Sequence, residues 1–261
     1  MIICHIQKNI IRRQYLNRVL TEAILIVIFA AANIFAGTAP QNWEKLEKKV
    51  RENAIGFARA KAFVSAMRPQ LDSYYYESAC DTGTAKFVFP VEGYGRTSIG
   101  GKKGSGYIPK GYNFYDADKH GDHPAYDIFI RDRNHDLLDD RTGKPVRILS
   151  ATAGVVVSIN TGWDKDSKTR GGNYVWVYDP ELKGLFYYAH MNTVAVATGD
   201  ILKAGQELGT VGRTGKNAAA KRSPTHLHFM FLSYGKDGSM KPEKIYDSLA
   251  TRIMPAVQGE K

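Results

Sequence analysis

From about Lys86 onward the chain alternates short apolar runs with clusters of Gly, Asn and Asp: FVFPV at 87–91, YDIFI at 126–130, GVVVSI at 154–159, YVWVY at 174–178, LFYYAH at 185–190 and HLHFMF at 226–231. Runs this short, rich in β-branched and aromatic side chains and bounded by turn formers, predict strands. Many such strands with turn punctuation give a mainly β domain, expected as an antiparallel β-sandwich or an open, barrel-like sheet. The Gly-rich stretch from Thr97 to Asp122 is expected to be loop.

A different texture precedes this region. Trp43, Leu46, Val50, Ala54, Phe57, Val64 and Met67 recur mostly at steps of three or four, so 42–68 is expected to be helical, with Pro69 ending the pattern. Tyr74, Tyr75 and Tyr76 follow as packing residues. Earlier still, Lys8, Arg12, Arg13 and Arg18 precede an apolar run from Ala23 to Ala36, and then come Gly37, Thr38 and Ala39. A basic region, a short apolar run and small residues form an export signal. The run is shorter than the ~20 residues that span a bilayer, so cleavage is expected, with an uncleaved N-terminal anchor as the alternative. The membrane then enters only through that segment. The expected organisation is 1–37 signal or anchor, 38–85 helical segment, 86–250 β domain with its core at about 118–234, and 251–261 tail.

Cys4 and Cys80 are the only cysteines, which excludes a disulfide scaffold and any zinc site built mainly from thiolates. The net charge of +10 favours anionic partners. No helix-turn-helix, finger or dense basic block with aromatics accompanies it, so nucleic acid is not expected and an anionic wall polymer fits better.

The chemistry lies in the histidines. His123 and Asp127 stand four apart at the entry to one expected strand, and His226 and His228 share one face of another, where residues two apart point the same way. Leu227, Phe229 and Phe231 then face a core, and His190 ends the run LFYYAH. Two imidazole nitrogens and one carboxylate oxygen around a tetrahedral metal, with a fourth position for water, is the zinc-hydrolase donor set. Two more imidazoles beside it can move protons and stabilise an oxyanion. Isolated His120 and His135 are expected to be ordinary surface residues.

At these residues the chain resembles the M23 (lysostaphin-type) metallopeptidases. The resemblance rests on an ordered set: His123-x-x-x-Asp127, Gly172-Asn173-Tyr-Val, Tyr188-Ala-His190, Val196-x-x-Gly199-Asp-x-Leu-Lys-x-Gly205-Gln-x-Leu-Gly209, Gly212-x-Thr-Gly215 and Thr225-His226-Leu-His228-Phe229. It implies a β domain holding one Zn2+ in a long groove, and hydrolysis of peptide bonds in peptidoglycan. It implies that His123, Asp127 and His228 bind the zinc. His190 and His226 would be the catalytic pair, one the general base and the other steadying the tetrahedral intermediate. Some relatives lack ligands and only activate amidases; here each position is filled. The alternatives are a non-catalytic wall-binding or amidase-activating domain and a secreted protease of protein substrates. The implied location is exported: periplasm, cell envelope or medium.

The segment from Arg131 to Arg141 is an unusual insertion beside the first motif. Asp132, Asn134 and Asp136 have the alternate spacing of a Ca2+ loop, with Asp140 at its ninth place. Leu137 stands where such loops need Gly and Gly143 where they carry Glu, so the stronger expectation is a solvated turn. The stretch from Asn160 to Gly172 is expected to form one groove wall, with Trp163 as a substrate contact or a capping side chain.

Overall fold

The computed structural model describes residues 37–79, 87–117, 119, 121–167 and 169–251. Residues 1–36 of the expected export signal, with Cys4, and also Cys80 and His120 lie outside the described residues. Two helices come first, α1 (Ala39–Arg51) and α2 (Phe57–Ser78). Nine strands follow: β1 (Tyr126–Phe129), β2 (Arg147–Leu149), β3 (Gly154–Asn160), β4 (Asn173–Asp179), β5 (Gly184–Val194), β6 (Ile201–Leu202), β7 (Glu207–Val211), β8 (His226–Tyr234) and β9 (Met240–Pro242). A short helix, α3 (Tyr246–Thr251), comes last.

All strand pairs are antiparallel, in the order β1-β8-β5-β4-β3-β6, with β9 beside β8 and with β7 joining β5 to β2. The sheet is open and branched. The pivot is β5, whose register shifts between Met191 and Thr193, so that its second half leaves its neighbours and pairs with β7. Ile148 of β2 and Leu208 and Val211 of β7 thereby enter one core with Val175, Val177, Phe186, Tyr188 and Phe229.

Strand periodicity divides the sheet into two functional faces. One supplies that core. The other carries Asp127, His226, His228 and Met230, then Trp176 and Tyr187, whose rings stack at 4.3 Å. Farther along this second face Tyr174, Tyr178 and Tyr234 meet the helices. Trp43 of α1 lies against Tyr234, with ring centroids 5.4 Å apart, and the Tyr178 hydroxyl donates to Asp72 of α2 at 2.7 Å. The site and the helices thus share one surface.

Two local expectations are corrected. The helical segment is broken at 52–56 and then continues through Pro69 to Ser78. Asn53 takes a left-handed backbone, φ 56°, and ends α1 there. Pro69 costs α2 a backbone hydrogen bond, but Val64, Met67, Leu71 and Tyr75 are buried on both sides of it. Tertiary packing therefore carries the helix past the proline. FVFPV forms no strand either. Its side chains Phe87, Phe89 and Val91 are buried in the core, yet Pro90 has no N–H to give and only Val91 bridges to β2.

Val64, Met67 and Leu71 have no exposed surface, so the helices are part of the fold. Leu71→Ala is expected to cost about 2–5 kcal/mol. Urea unfolding followed by circular dichroism and tryptophan fluorescence should show one shifted transition. A separate helical melt with the main transition unmoved would make the helices an appendage.

Candidate active site

The first motif and β8 meet through strand pairing. Asp127 on β1 lies opposite His228 on β8, and Ala189, one residue before His190, lies opposite the other side of His228. The centre of the site is Asp127 Oδ1. His123 Nε2 and His228 Nδ1 each lie 3.1 Å from it, and His226 Nε2 lies 3.7 Å away. One donor atom each from His123, Asp127 and His228 falls within 4.8 Å of the others, a spacing that can hold a metal ion. His190 completes the cluster, with its ring 5.0 Å from that of His226 and 5.3 Å from that of His228.

Backbone carbonyls fix which nitrogen faces inward. His123 Nδ1 donates to Gly106 O at 2.9 Å, His190 Nδ1 to Thr214 O at 2.8 Å, and His226 Nδ1 to Pro224 O at 2.7 Å. A neutral imidazole carries one N–H, so each of these three then presents a bare Nε2. His228 has the opposite orientation, with Nδ1 toward the carboxylate.

The electrostatics follow from burial around one charge. Burial alone pushes the Asp127 carboxyl up, but the His123 and His228 hydrogen bonds outweigh it and hold the group far below the usual carboxylate range. Burial lowers His123, but its Asp127 partner outweighs that and leaves it raised. His190 is pushed well below the ordinary histidine value, first by burial and then by repulsion from His228 and His226. It is therefore a neutral imidazole near pH 7. Burial also lowers His228.

The Gly-rich motifs make room for these rings. His190 has a left-handed backbone, φ 64°, and its N–H donates to Gly171 O at 2.9 Å. Gly215 presses on it: a Cβ there would lie 2.9 Å from His190 Nδ1 and 2.3 Å from Arg170 O, at φ 100°. No residue with a side chain fits that position.

The cluster opens into a cavity of about 380 Å³ with Trp176, Tyr187 and Met230 among its lining residues. Arg170 and Gly171 belong to its wall, as expected for the loop after Asn160.

Comparison with known proteins gives one family match. The family model for Peptidase family M23 matches residues 133–241. Over those residues the chain is similar to the M23 peptidases. Lysostaphin of Staphylococcus simulans is 32% identical over 145 residues, covering 54% of this chain and 24% of that protein. Glycyl-glycine endopeptidase ALE-1 of Staphylococcus capitis is 32% identical over 134 residues, covering 51% and 29%. The chain thus spans about a quarter of the length of these relatives. The catalytic domain of lysostaphin from S. simulans, a solved structure, is 22% identical over 54% of this chain and 85% of its own, with a TM-score of 0.35.

The stretch matched to the M23 family includes His190, His226 and His228 and starts downstream of His123 and Asp127. The fold itself brings those two to the others. The intervening 131–141 segment is tied down by its own acids. Asp132 accepts the Asp136 and Leu137 N–H groups at 3.0 and 3.1 Å and the Thr225 hydroxyl at 2.6 Å. Asn134 donates to Asp136 at 2.8 Å. The insertion thus braces the residue just before His226. The Trp163 N–H of the backbone caps on Asn173 at 3.0 Å, and the indole borders a second, open groove with Lys165, Arg170 and Lys216.

Sequence reasoning did not name the residues that form one wall of the cleft. Glu47, Val50 and Arg51, in the last turns of α1, line the same cavity as the histidines. The available signal was Glu47 itself, a charge beside Leu46 and four residues from Trp43 in an otherwise apolar stripe.

Gly215→Ala should destabilise the protein by about 1–3 kcal/mol, through strain at φ 100° and collision with the Arg170 carbonyl. Urea denaturation measures it. An unchanged midpoint would show that Gly215 is not packed as described.

Proposed function

We propose that this chain is an exported zinc endopeptidase that hydrolyses peptide bonds of peptidoglycan. The observation carrying this reading is the set of three imidazoles around Asp127 Oδ1, with a fourth alongside, in a chain similar to the M23 peptidases. Export is supported by the basic and apolar N-terminal sequence, and the wall substrate by the endopeptidase relative.

The donor set fits zinc on its own chemistry. With Nδ1–H given to Gly106 O, a neutral His123 turns a lone pair toward an ionised carboxylate 3.1 Å away. Such a contact is favourable only with a positive charge between the two, either a proton or a metal. His123 Nε2, Asp127 Oδ1 and His228 Nδ1 would hold the ion, an N2O set with room for a fourth ligand. Zinc held there supplies Lewis acidity toward a water and the scissile carbonyl.

The remaining work belongs to the flanking imidazoles. His190 is neutral and its Nδ1 proton is fixed on Thr214 O, so Nε2 accepts the proton of the attacking water. It returns that proton to the leaving amine. His226 turns a bare Nε2 toward the cleft when neutral; once protonated there it would donate to the carbonyl oxygen as negative charge develops. Trp176 and Tyr187 give the peptide a flat apolar floor.

Four alanine variants separate binding from chemistry. His228→Ala and Asp127→Ala should lose zinc, measured by mass spectrometry of the metal, and activity with it. His190→Ala and His226→Ala should retain zinc and lose ~10²–10⁴ in turnover if each takes part in proton transfer. The assay is digestion of purified sacculi with products identified by mass spectrometry. Zinc-free wild-type protein, or zinc-bound protein that releases no peptide, would favour the wall-binding or amidase-activating alternative.

A further inference from the structure

The catalytic cavity is asymmetric. At one end it continues past Asn217 and Arg170 into the open groove bordered by Trp163, Lys165 and Lys216. Another part of its wall is the last turn of α1, which presents Glu47, Val50 and Arg51. A volume of about 380 Å³ lies near the small end of ligand pockets, which span roughly 300–1,000 Å³. It admits a short segment of substrate on the helix side, while the basic groove can take a longer one.

Arg51 is held as a recognition group would be. Its Nε lies 3.4 Å from Glu47 Oε1, its Nη1 3.4 Å from Thr169 Oγ1, and its guanidinium 5.9 Å from the centre of the Tyr174 ring. Glu47 is itself anchored, accepting from the Tyr174 hydroxyl at 3.0 Å and from Ser158 at 3.2 Å. Carboxylate, hydroxyl and ring thus lie around one side of the guanidinium, with Nε at ion-pair distance from Glu47 but making no hydrogen bond. The side chain keeps 21% of its surface exposed while lining the cavity. A guanidinium braced in this way offers its remaining donors with little entropy left to lose, and a carboxylate is the group that a planar fork of N–H donors fits. Of the two arginines that line the cavity, Arg170 also borders the open groove, which leaves Arg51 as the guanidinium of the helix side.

We propose that α1 closes the cleft on one side and that Arg51 there binds a free C-terminal carboxylate of the substrate. The cleaved bond then falls within a few residues of a chain end, with the long part of the substrate in the open groove. This rests on the peptidase reading and adds the substrate class: peptides with a free carboxyl terminus near the scissile bond.

The test uses tetraglycine and a wall stem tetrapeptide, each made as the free acid and as the C-terminal amide. The readout is the ratio of kcat/KM for acid over amide, with full-length wild type, Arg51→Ala, Arg51→Lys and Thr169→Ala. Wild type should favour the acid by about ten- to a hundredfold, the scale of a hydrogen-bonded charge. Arg51→Ala should bring the ratio to near one through KM, Arg51→Lys should keep part of it, and Thr169→Ala, which removes one neighbour of the guanidinium, should lower it by less than Arg51→Ala. A merely bracing arginine would lower acid and amide rates together and leave the ratio unmoved, which overturns the proposal. So does a wild-type ratio near one. If zinc-loaded wild type cuts neither peptides nor sacculi, the peptidase reading fails and this proposal with it.

Discussion

One half-buried negative charge organises the site. Asp127 Oδ1 sits between His123 Nε2 and His228 Nδ1 at 3.1 Å from each, with His226 Nε2 at 3.7 Å. A carboxylate removed from water needs positive charge or donors around it. Here the neighbours are imidazoles, and at least two of them have already given their single N–H to backbone carbonyls of Gly106 and Pro224. The ring orientations are therefore fixed before any ligand arrives. What the centre lacks in donors is what a cation supplies, so geometry and electrostatics favour the same occupant.

The rest of the structure serves that arrangement. Antiparallel pairing of β1 with β8 puts Asp127 opposite His228, and the alternation of strand side chains keeps Leu227 and Phe229 in the core while His226 and His228 face the cleft. Close backbone approach at Gly215 holds the His190 ring in place. The helices cover the same face of the sheet beyond the histidines. They give the cleft a wall at Glu47, Val50 and Arg51 while burying Tyr174, Tyr178 and Tyr234. One segment thus shapes the cleft and completes the packing.

Much of this was legible in the sequence. Period-two runs gave most of the long strands, and the H-x-H spacing gave the shared face of His226 and His228, because side-chain direction in a strand is set by parity alone. The chain's own order placed His123, Asp127 and His190 as candidates, and the fold brings all five residues together. The illegible parts depend on contacts distant in sequence. Helix α2 passes Pro69 because Met67 and Leu71 are buried by the sheet, which no local propensity contains. FVFPV fails as a strand because Pro90 interrupts its donors although its side chains belong in the core. Arg51 reaches the cleft only once α1 docks on β3 and β4. The alternate acids at 131–141 suit a solvated turn or a Ca2+ loop by spacing alone, and only the fold shows Asp132 accepting from Asp136, Leu137 and Thr225.

The central claim is that His123, Asp127 and His228, and not His190 or His226, hold the metal. Diffraction from zinc-loaded crystals on both sides of the zinc absorption edge tests it directly. A single anomalous peak bounded by His123 Nε2, an Asp127 oxygen and His228 Nδ1, with His190 and His226 beyond bonding distance, is the predicted result. A peak coordinated by His190 or His226 in place of either histidine, or no peak at the centre, would contradict it.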